Sequence, residues 1–106
     1  MQNITLPADS PARAAFIMDG TYMEPWVKRG ELVTVEWALP AVGQCGLFQA
    51  GNTVVFRQYC EDSFGNIYLF VLNRAFRDMD ITIPQDTPVR CLGRAILDKT
   101  PPLPMD

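Results

Sequence analysis

The sequence predicts a mostly β domain of about seven short strands with one or two short helical turns. Short runs rich in β-branched and aromatic residues recur along the chain, separated by glycine, proline, aspartate or asparagine. No stretch of about 11 residues keeps a helical spacing of apolar side chains. The chain has 106 residues, of which 48% are hydrophobic and 20% charged. This length and balance are typical of a single folded domain.

The first half of the chain contains three predicted strands and one predicted helical turn. Residues 14–18 are apolar and end at the turn pair Asp19-Gly20. Pro25 is placed to open a short helical turn, and Gly30 is placed to end it. Apolar and polar side chains then alternate along the next strand, which indicates that one of its faces is buried. The three strands are predicted at residues 14–18, 32–37 and 45–48.

The second half contains four further predicted strands. Residues 53–59 carry the strongest β signal, because branched and aromatic side chains dominate them. Gly51-Asn52 is a predicted turn before this strand, and residues 62–66 are a predicted hairpin loop after it. The final strand carries apolar side chains on both of its faces. The four strands are predicted at residues 53–59, 67–72, 81–83 and 89–97.

Residues 14–100 form the predicted domain, flanked by two irregular ends. Residues 1–13 include Pro7 and Pro11 and little that can be buried, so they are predicted to be a flexible arm or the remnant of a linker. Residues 101–106 contain three prolines, which cannot continue a central strand. The sequence therefore predicts an extended, proline-rich tail.

The composition excludes several classes of function. The chain contains no histidine, which excludes histidine-metal sites, Ser-His-Asp triads and Cys-His dyads. Nine lysine and arginine residues stand against twelve aspartate and glutamate residues, a net charge of −3. A nucleic-acid-binding domain normally presents a basic face, so we expect no direct nucleic-acid binding by this domain. We also expect no metal and no cofactor.

The cysteines and the N-terminal residues predict a cytoplasmic protein. Cys45, Cys60 and Cys91 are odd in number and form no Cys-x-x-Cys pair, so they are predicted to be reduced thiols buried among apolar residues. The first residues lack the basic start and apolar stretch of a signal peptide. The longest apolar runs hold about five residues, far short of the ~20 that a membrane helix needs. We expect no contact with a membrane.

From Phe16 onward the chain resembles the C-terminal domain of the LexA-like family of self-cleaving repressors, which includes phage lambda-type repressors and the UmuD proteins. Residues 20–25, Gly-Thr-Tyr-Met-Glu-Pro, stand where the family has a Gly-x-Ser-Met-x-Pro nucleophile turn. Residues 54–59 stand where the family has the strand that carries a catalytic lysine. Further segments match the family's pattern in the same order, at residues 30–35, 42–44, 69–76 and 89–96. The resemblance implies a LexA-like, signal-peptidase-like β fold.

Both members of the family's catalytic dyad are replaced in this chain. The resemblance places Tyr22 at the position of the nucleophilic serine and Arg57 at the position of the lysine base. Burial can lower the pKa of a lysine until it accepts a proton, but the pKa of arginine stays above about 12. Two other hydroxyl residues, Thr21 and Ser63, have no evident lysine partner. The resemblance thus implies a degenerate dyad and a vestigial cleft, formed by Gly20, Thr21, Met23 and Pro25.

Two interpretations of the replaced dyad remain open. In one, the Arg57 guanidinium lies against the Tyr22 ring or donates a hydrogen bond to its phenol. In the other, Tyr22 only covers a closed cleft and Arg57 forms an ion pair with an acid such as Glu24 or Glu61. Trp26 and Trp37 are interpreted as core or interface residues, because no basic patch surrounds them.

The function expected from the resemblance is that of a catalytically degenerate sensor and dimerisation domain of a transcriptional repressor of phage or mobile-element type. One alternative is an active self-cleaving serine peptidase with a relocated nucleophile. Another is a stand-alone β module that binds a peptide or protein in the vestigial cleft. The resemblance also implies a homodimer formed around the final strand, in which Leu92 and Ile96 pack against a second copy.

Overall fold

The computed structural model describes residues 4–5 and 13–104 and has a mostly β fold, which confirms the predicted class. The strands form one curled sheet that resembles half of a barrel. Every predicted strand is present, with ends that shift by at most a few residues. The elements are β1 (Ile4–Thr5), β2 (Arg13–Ile17), β3 (Leu32–Glu36), β4 (Cys45–Ala50), β5 (Thr53–Glu61), β6 (Ile67–Phe70), a 3-10 helix (Arg74–Met79), β7 (Ile81–Ile83) and β8 (Val89–Ile96).

The strand order places the last strand inside the sheet. The order is β2-β3-β8-β4-β5-β6-β7, and neighbours along this path are antiparallel. Strand β1 pairs in parallel with the start of β8, Ile4 lying opposite Val89. The sequence predicted no strand at these first residues; the rest of the predicted arm, residues 1–3 and 6–12, lies outside the described residues. The edges of the ordered path are β2 and β7.

Two predicted turns connect β4, β5 and β6 as expected. Gly51-Asn52 forms a two-residue hairpin loop, since Ala50 lies opposite Thr53, and Gly51 adopts a φ of 63° that glycine accepts without a steric penalty. In the second hairpin the Asp62 side chain accepts hydrogen bonds from the backbone N–H groups of the loop, including that of Phe64 at 2.9 Å. This side-chain cap replaces the pairing that the backbone loses where the strand ends.

The predicted helical turn at residues 23–30 is a single turn and not a helix. Only one backbone bond of helical spacing forms there, from Val27 N–H to Met23 C=O at 3.0 Å. Met23 and Val27 are both fully buried, so packing against the sheet holds this segment without further helical bonds. The 3-10 helix lies instead between β6 and β7, where Asn73 caps its first turn.

The buried side chains form two apolar clusters. Successive residues of a strand point to opposite faces, and β5 accordingly places Phe56 in the first cluster and Tyr59 in the second. The first cluster consists of Met18, Met23, Val27, Val33, Val35, Cys45, Phe56, Val71, Leu72 and Ala95. The second consists of Phe48, Tyr59, Ile67, Leu69, Val89 and Cys91.

Gly93 allows β8 to pass close to its neighbour β3. Its φ is 154°, and a Cβ there would lie 2.3 Å from the Val35 side chain and 2.9 Å from the Glu36 carbonyl oxygen. The pairing of β4 with β8 also shifts register beside this residue, between Leu47 and Phe48. Close approach at a bulge is the situation in which a strand requires glycine.

Candidate functional site

The turn that carries Tyr22 is held from two sides. On one side Met23 is fully buried in the first cluster. On the other side Asn73 donates from its backbone N–H to the Tyr22 carbonyl at 2.8 Å and from Nδ2 to the Thr21 carbonyl at 3.0 Å. Asn73 also accepts a bond from Ala75 N–H through its Oδ1, so one side chain links the turn to the 3-10 helix. The position of Tyr22 is therefore set by contacts on both of its neighbours.

Arg57 in β5 meets this turn. Its guanidinium carbon lies 4.9 Å from the centroid of the Tyr22 ring, within the range of a cation–π contact. Its Nη1 donates to the Phe56 carbonyl at 2.9 Å, and its Nε donates to the Met79 carbonyl at 3.4 Å. Arg57 is only 5% exposed. The predicted proximity of Tyr22 and Arg57, which stand 35 positions apart in the sequence, is confirmed.

Burial and neighbouring groups act in opposite directions on the Arg57 guanidinium. Burial lowers its pKa, because removal from water disfavours the charged form. Tyr22, through its charge and a side-chain hydrogen bond, and Asp80 through its charge, favour the charged form and oppose that shift. A guanidinium starts from so high a pKa that it stays protonated at neutral pH. Arg57 is thus a buried cation that contacts a ring, and it has no lone pair with which to accept a proton.

The alternative ion pairs of Arg57 are not formed within the described part of the chain. Glu24 instead accepts a hydrogen bond from Arg29 N–H at 3.3 Å, and Glu61 accepts one from the Tyr59 hydroxyl. The interpretation that pairs Arg57 with either acid is therefore wrong for this structure, and the contact with Tyr22 replaces it.

A second polar cluster positions the carbonyl that Arg57 contacts. The Asp80 carboxylate accepts bonds from Val71 N–H at 2.9 Å and from the Arg74 guanidinium at 2.8 and 3.0 Å. Arg74 in turn lies 5.7 Å above the centroid of the Phe70 ring. These contacts hold the two ends of the 3-10 helix together and place Met79 at its last position beside Arg57.

An open, largely apolar cavity of about 240 Å³ lies next to Tyr22. Two of its lining side chains are strongly exposed, Ile17 at 59% and Val54 at 51%. Strand β2, which contributes Ile17, is an edge strand among the described residues, so the cavity opens beside that edge of the sheet. The lining residues are Phe16, Ile17, Asp19, Tyr22, Leu47, Val54 and Phe56.

None of the four predicted cleft residues lines this cavity in the part of the chain that the structure describes, whereas Tyr22 of the degenerate dyad does. Met23 is fully buried, and its Sδ accepts a bond from Leu72 N–H at 3.4 Å, so its side chain does not face an open surface. Thr21 and Pro25 are exposed, and Gly20 packs under the Tyr22 ring, where a Cβ would lie 2.8 Å from ring atoms. The sequence missed Ile17 and Val54, and their outward-facing apolar side chains were the available signal.

The residues of the predicted dimer surface lie on the outer face of β8. Ile96 is 43% exposed and Leu92 is half-buried, while β3 and β4 occupy the two edges of the strand. A cavity of about 290 Å³ opens beside Ile96, and Trp26 at 41% exposure is one of its walls. Trp37 is exposed to a similar extent, so neither tryptophan is a core residue.

Two of the three cysteines are deeply buried. Burial raises the pKa of Cys45 to about 12 and that of Cys91 to about 11. Cys60 is partly exposed, and burial raises its pKa as well. A thiol whose pKa is raised stays protonated at neutral pH and is a poor nucleophile. Within residues 4–5 and 13–104, no group of three or more cysteine, aspartate or glutamate side chains is arranged to hold a metal ion.

Comparisons with protein-family models, with curated proteins and with solved structures found no match to this chain. In the part of the chain that the structure describes, no helix is long and apolar enough to cross a membrane.

Proposed function

We propose that this chain is a catalytically degenerate, LexA-like domain that serves a transcriptional repressor as a sensor and dimerisation module. The contact between the Arg57 guanidinium and the Tyr22 ring supports the proposal most directly. The resemblance aligns these two residues with a serine nucleophile and a lysine base, which must touch each other to react. In this chain the two side chains still touch, but neither can accept a proton. We expect this arrangement in a domain that has lost its peptidase dyad.

The chemistry of the pair argues against peptide cleavage. A serine-type nucleophile needs a small hydroxyl that can reach a peptide carbonyl within about 3.0–3.5 Å. It also needs a partner that takes its proton. Tyr22 holds a bulky ring against a cation, and that cation, Arg57, remains protonated. We therefore expect the intact mass of the wild-type protein to stay unchanged during long incubation at about pH 10, where a catalytic lysine would be neutral.

Restoring both dyad residues tests the proposal. The double variant Tyr22→Ser/Arg57→Lys should react with a fluorophosphonate probe at about pH 9, where a buried lysine is largely neutral. In that reaction the serine oxygen forms a bond to phosphorus, fluoride leaves, and the proton passes to the lysine amine. Tandem mass spectrometry of a digest should find the label at position 22.

The single variants are matched controls for this experiment. Tyr22→Ser alone keeps the protonated Arg57, and Arg57→Lys alone keeps the unreactive phenol, so neither should be labelled at position 22. Circular dichroism establishes that each variant is folded. A folded double variant that takes up no label contradicts the assignment of these positions to a former dyad. A labelled wild-type protein contradicts its catalytic inertness.

The dimerisation part of the proposal depends on the outer face of β8. Ile96 is 43% exposed there, and Leu32 on the adjoining strand β3 is 62% exposed. Because the edges of β8 are occupied, a second copy would have to pack on this face. A two-fold interface is self-complementary, and a stable one buries about 800 Å² on each partner.

Sedimentation at tens of micromolar should give a mass of about twice 11.9 kDa for the wild-type protein. Ile96→Asp places a charge in the centre of the proposed interface and should give monomers. Val54→Asp makes the same change at an exposed valine outside this face and should leave the dimer intact. A wild-type protein that stays monomeric at its highest soluble concentration contradicts the dimerisation role.

A further inference from the structure

The proline-rich tail is docked on the domain through its first proline. Pro101 is fully buried, whereas Pro102 beside it is exposed. The docking slot lies where the chain enters β4: a Cβ on Gly43 would lie 3.7 Å from the Thr100 side chain, and Cys45 and Pro101 share the walls of a small cavity of about 50 Å³. The tail thus occupies a defined slot on the sheet.

Gln58 holds the tail through its backbone carbonyls. This side chain of β5 is 0% exposed. Its Nε2 donates to the Pro101 carbonyl at 2.8 Å and to the Gly43 carbonyl at 3.0 Å, and it lies 3.3 Å from the Pro102 carbonyl. One buried amide therefore contacts two successive carbonyls of the tail and one carbonyl of the slot.

These contacts match the chemistry of a proline-rich segment. Proline has no backbone N–H, so such a segment offers a partner only carbonyl oxygens and the apolar faces of its rings. Its φ angles are restricted, and residues before a proline are held extended, so little conformational freedom is lost on binding. A buried side-chain N–H that contacts successive carbonyls, beside a slot that accepts a proline ring, provides both of the complementary features.

The other end of the same amide is an open acceptor. Gln58 Oε1 is buried, and no hydrogen-bond donor reaches it from residues 4–5 or 13–104. Prolines cannot supply that donor. A buried polar atom without a partner is unusual in a packed core, and each one calls for an explanation. Gln58 thus donates to the carbonyls of the tail, while its Oε1 is available to accept a bond from a ligand with an N–H group.

We propose that the slot around Gln58 and Cys45 is a recognition site for extended proline-rich peptides, which the chain's own residues 101–104 occupy in the structure. The tail is joined to β8 by a few residues, and a short tether gives an effective concentration in the millimolar range. An external peptide therefore binds only when the internal segment is weakened or outcompeted. This site is separate from the proposed role in a repressor, because it uses neither Tyr22 nor Arg57.

The test uses the chain of 106 residues and a fluorescent synthetic peptide with the sequence of residues 99–104. Pro101→Ser weakens the internal segment at its buried ring, and this variant should bind the peptide saturably in fluorescence anisotropy. The wild-type chain should bind it at least about tenfold more weakly, because its own tail competes. The matched control is Pro84→Ser, which changes an exposed proline outside the tail and should behave like the wild type.

Two further controls test the chemistry of the slot. The same peptide with alanine in place of its prolines should not bind the Pro101→Ser variant. Adding Gln58→Met to that variant keeps the side-chain length but removes the N–H donors, and it should abolish binding. Circular dichroism checks that each variant is folded. Equal binding of the two peptides, or absence of binding by a folded Pro101→Ser variant, overturns the proposal.

If Pro101→Ser does not fold, the same proposal is tested on the wild-type chain. Unlabelled peptide at several millimolar should displace the tail of the wild-type chain, and the amide NMR shifts of Thr100 and Leu103 should move to those of an unstructured chain. Cys45 should stay slow to react with a thiol reagent, because the incoming peptide covers the same slot. Amide shifts that stay unchanged at both residues overturn the proposal.

Discussion

Arg57 and Gln58 are consecutive residues of β5, and both are polar side chains that the fold buries almost completely. Each holds a segment that lies outside the regular pairing of the sheet. Arg57 contacts the turn of Tyr22 and the end of the 3-10 helix, whereas Gln58 holds the proline-rich tail. Because successive residues of a strand point in opposite directions, one strand can anchor two unrelated segments.

The two anchors differ in charge and in how fully their polar atoms are used. Arg57 carries a charge whose burial is unfavourable, and this penalty offsets part of what its contacts contribute. Gln58 is neutral, and its Nε2 meets three carbonyls while its Oε1 meets no donor among the described residues. We therefore expect Gln58 to contribute more to the free energy of unfolding than Arg57, whose contact acts on the placement of Tyr22.

The largest expected effect is that of Gln58→Met. The substitution leaves the buried carbonyls of Gly43 and Pro101 without donors, and each unsatisfied buried group costs about 1–3 kcal/mol. We expect the free energy of unfolding, measured by urea titration, to fall by about 3 kcal/mol. Gln49→Met is the matched control on the neighbouring strand, where the side chain is exposed, and it should change the value by less than about 0.5 kcal/mol. Equal effects of the two substitutions would remove Gln58 as an anchor.

Alkaline pH tests the burial of the Cys45 thiol. Cys45 lies opposite Gln58 in the pairing of β4 with β5, on the same side of the sheet. The pKa of Cys45 is raised to about 12 in the folded protein, so the unfolded chain loses this proton first as the pH rises. The stability that the protonated Cys45 thiol contributes is fully present below about pH 9 and should fall by about 1.4 kcal/mol per pH unit above it, until the folded thiol ionises near 12.

Cys45→Ala should remove this part of the slope when urea titrations at about pH 8 and pH 10 are compared. The control is Cys60→Ala, at a partly exposed thiol that should contribute a smaller slope. A Cys45→Ala variant whose stability falls as steeply as that of the wild type would show that the thiol is not buried as described.

A double-mutant cycle measures the other anchor. Arg57→Met and Tyr22→Leu, separately and together, should give a coupling energy of about 1 kcal/mol, the value of a partly buried cation–π contact. Arg57→Met by itself should lower the free energy of unfolding by about 1 kcal/mol, because removal of a buried charge offsets the lost contacts. A coupling energy indistinguishable from zero would mean that the ring and the guanidinium are neighbours without a stabilising interaction.

The smallest expected effect separates the ring from the phenol. Tyr22→Phe keeps the ring over which Arg57 lies and removes the hydroxyl with its side-chain hydrogen bond to Arg57, so the free energy of unfolding should fall by about 0.5 kcal/mol, less than in Tyr22→Leu. The urea titration of the cycle above supplies the measurement. A loss as large as that of Tyr22→Leu would instead assign the contact to a hydrogen bond with the phenol.

The sequence by itself determined strands β2 to β8 and the turns that join β4, β5 and β6, because their signals are local. Alternation along residues 32–37, branched and aromatic side chains along residues 53–59 and the Gly51-Asn52 turn each depend on neighbours in the chain. The contact between Tyr22 and Arg57 was also predicted, although the pattern that pointed to it was the resemblance and not the chemistry of either residue. The resemblance relates Tyr22 to Arg57, two distant positions that no local signal in the sequence connects.

Only the tertiary structure decided which surfaces each strand presents. The apolar side chains on both faces of the last strand permitted a dimer surface around it, and pairing with both β3 and β4 placed the strand inside the sheet. Pairing of distant strands likewise sent Met23 into the core and left Ile17 and Val54 beside the cavity. The role of Gln58 was equally hidden, because a glutamine in a strand says nothing about a proline 43 positions later until the sheet curls and brings its amide to that carbonyl.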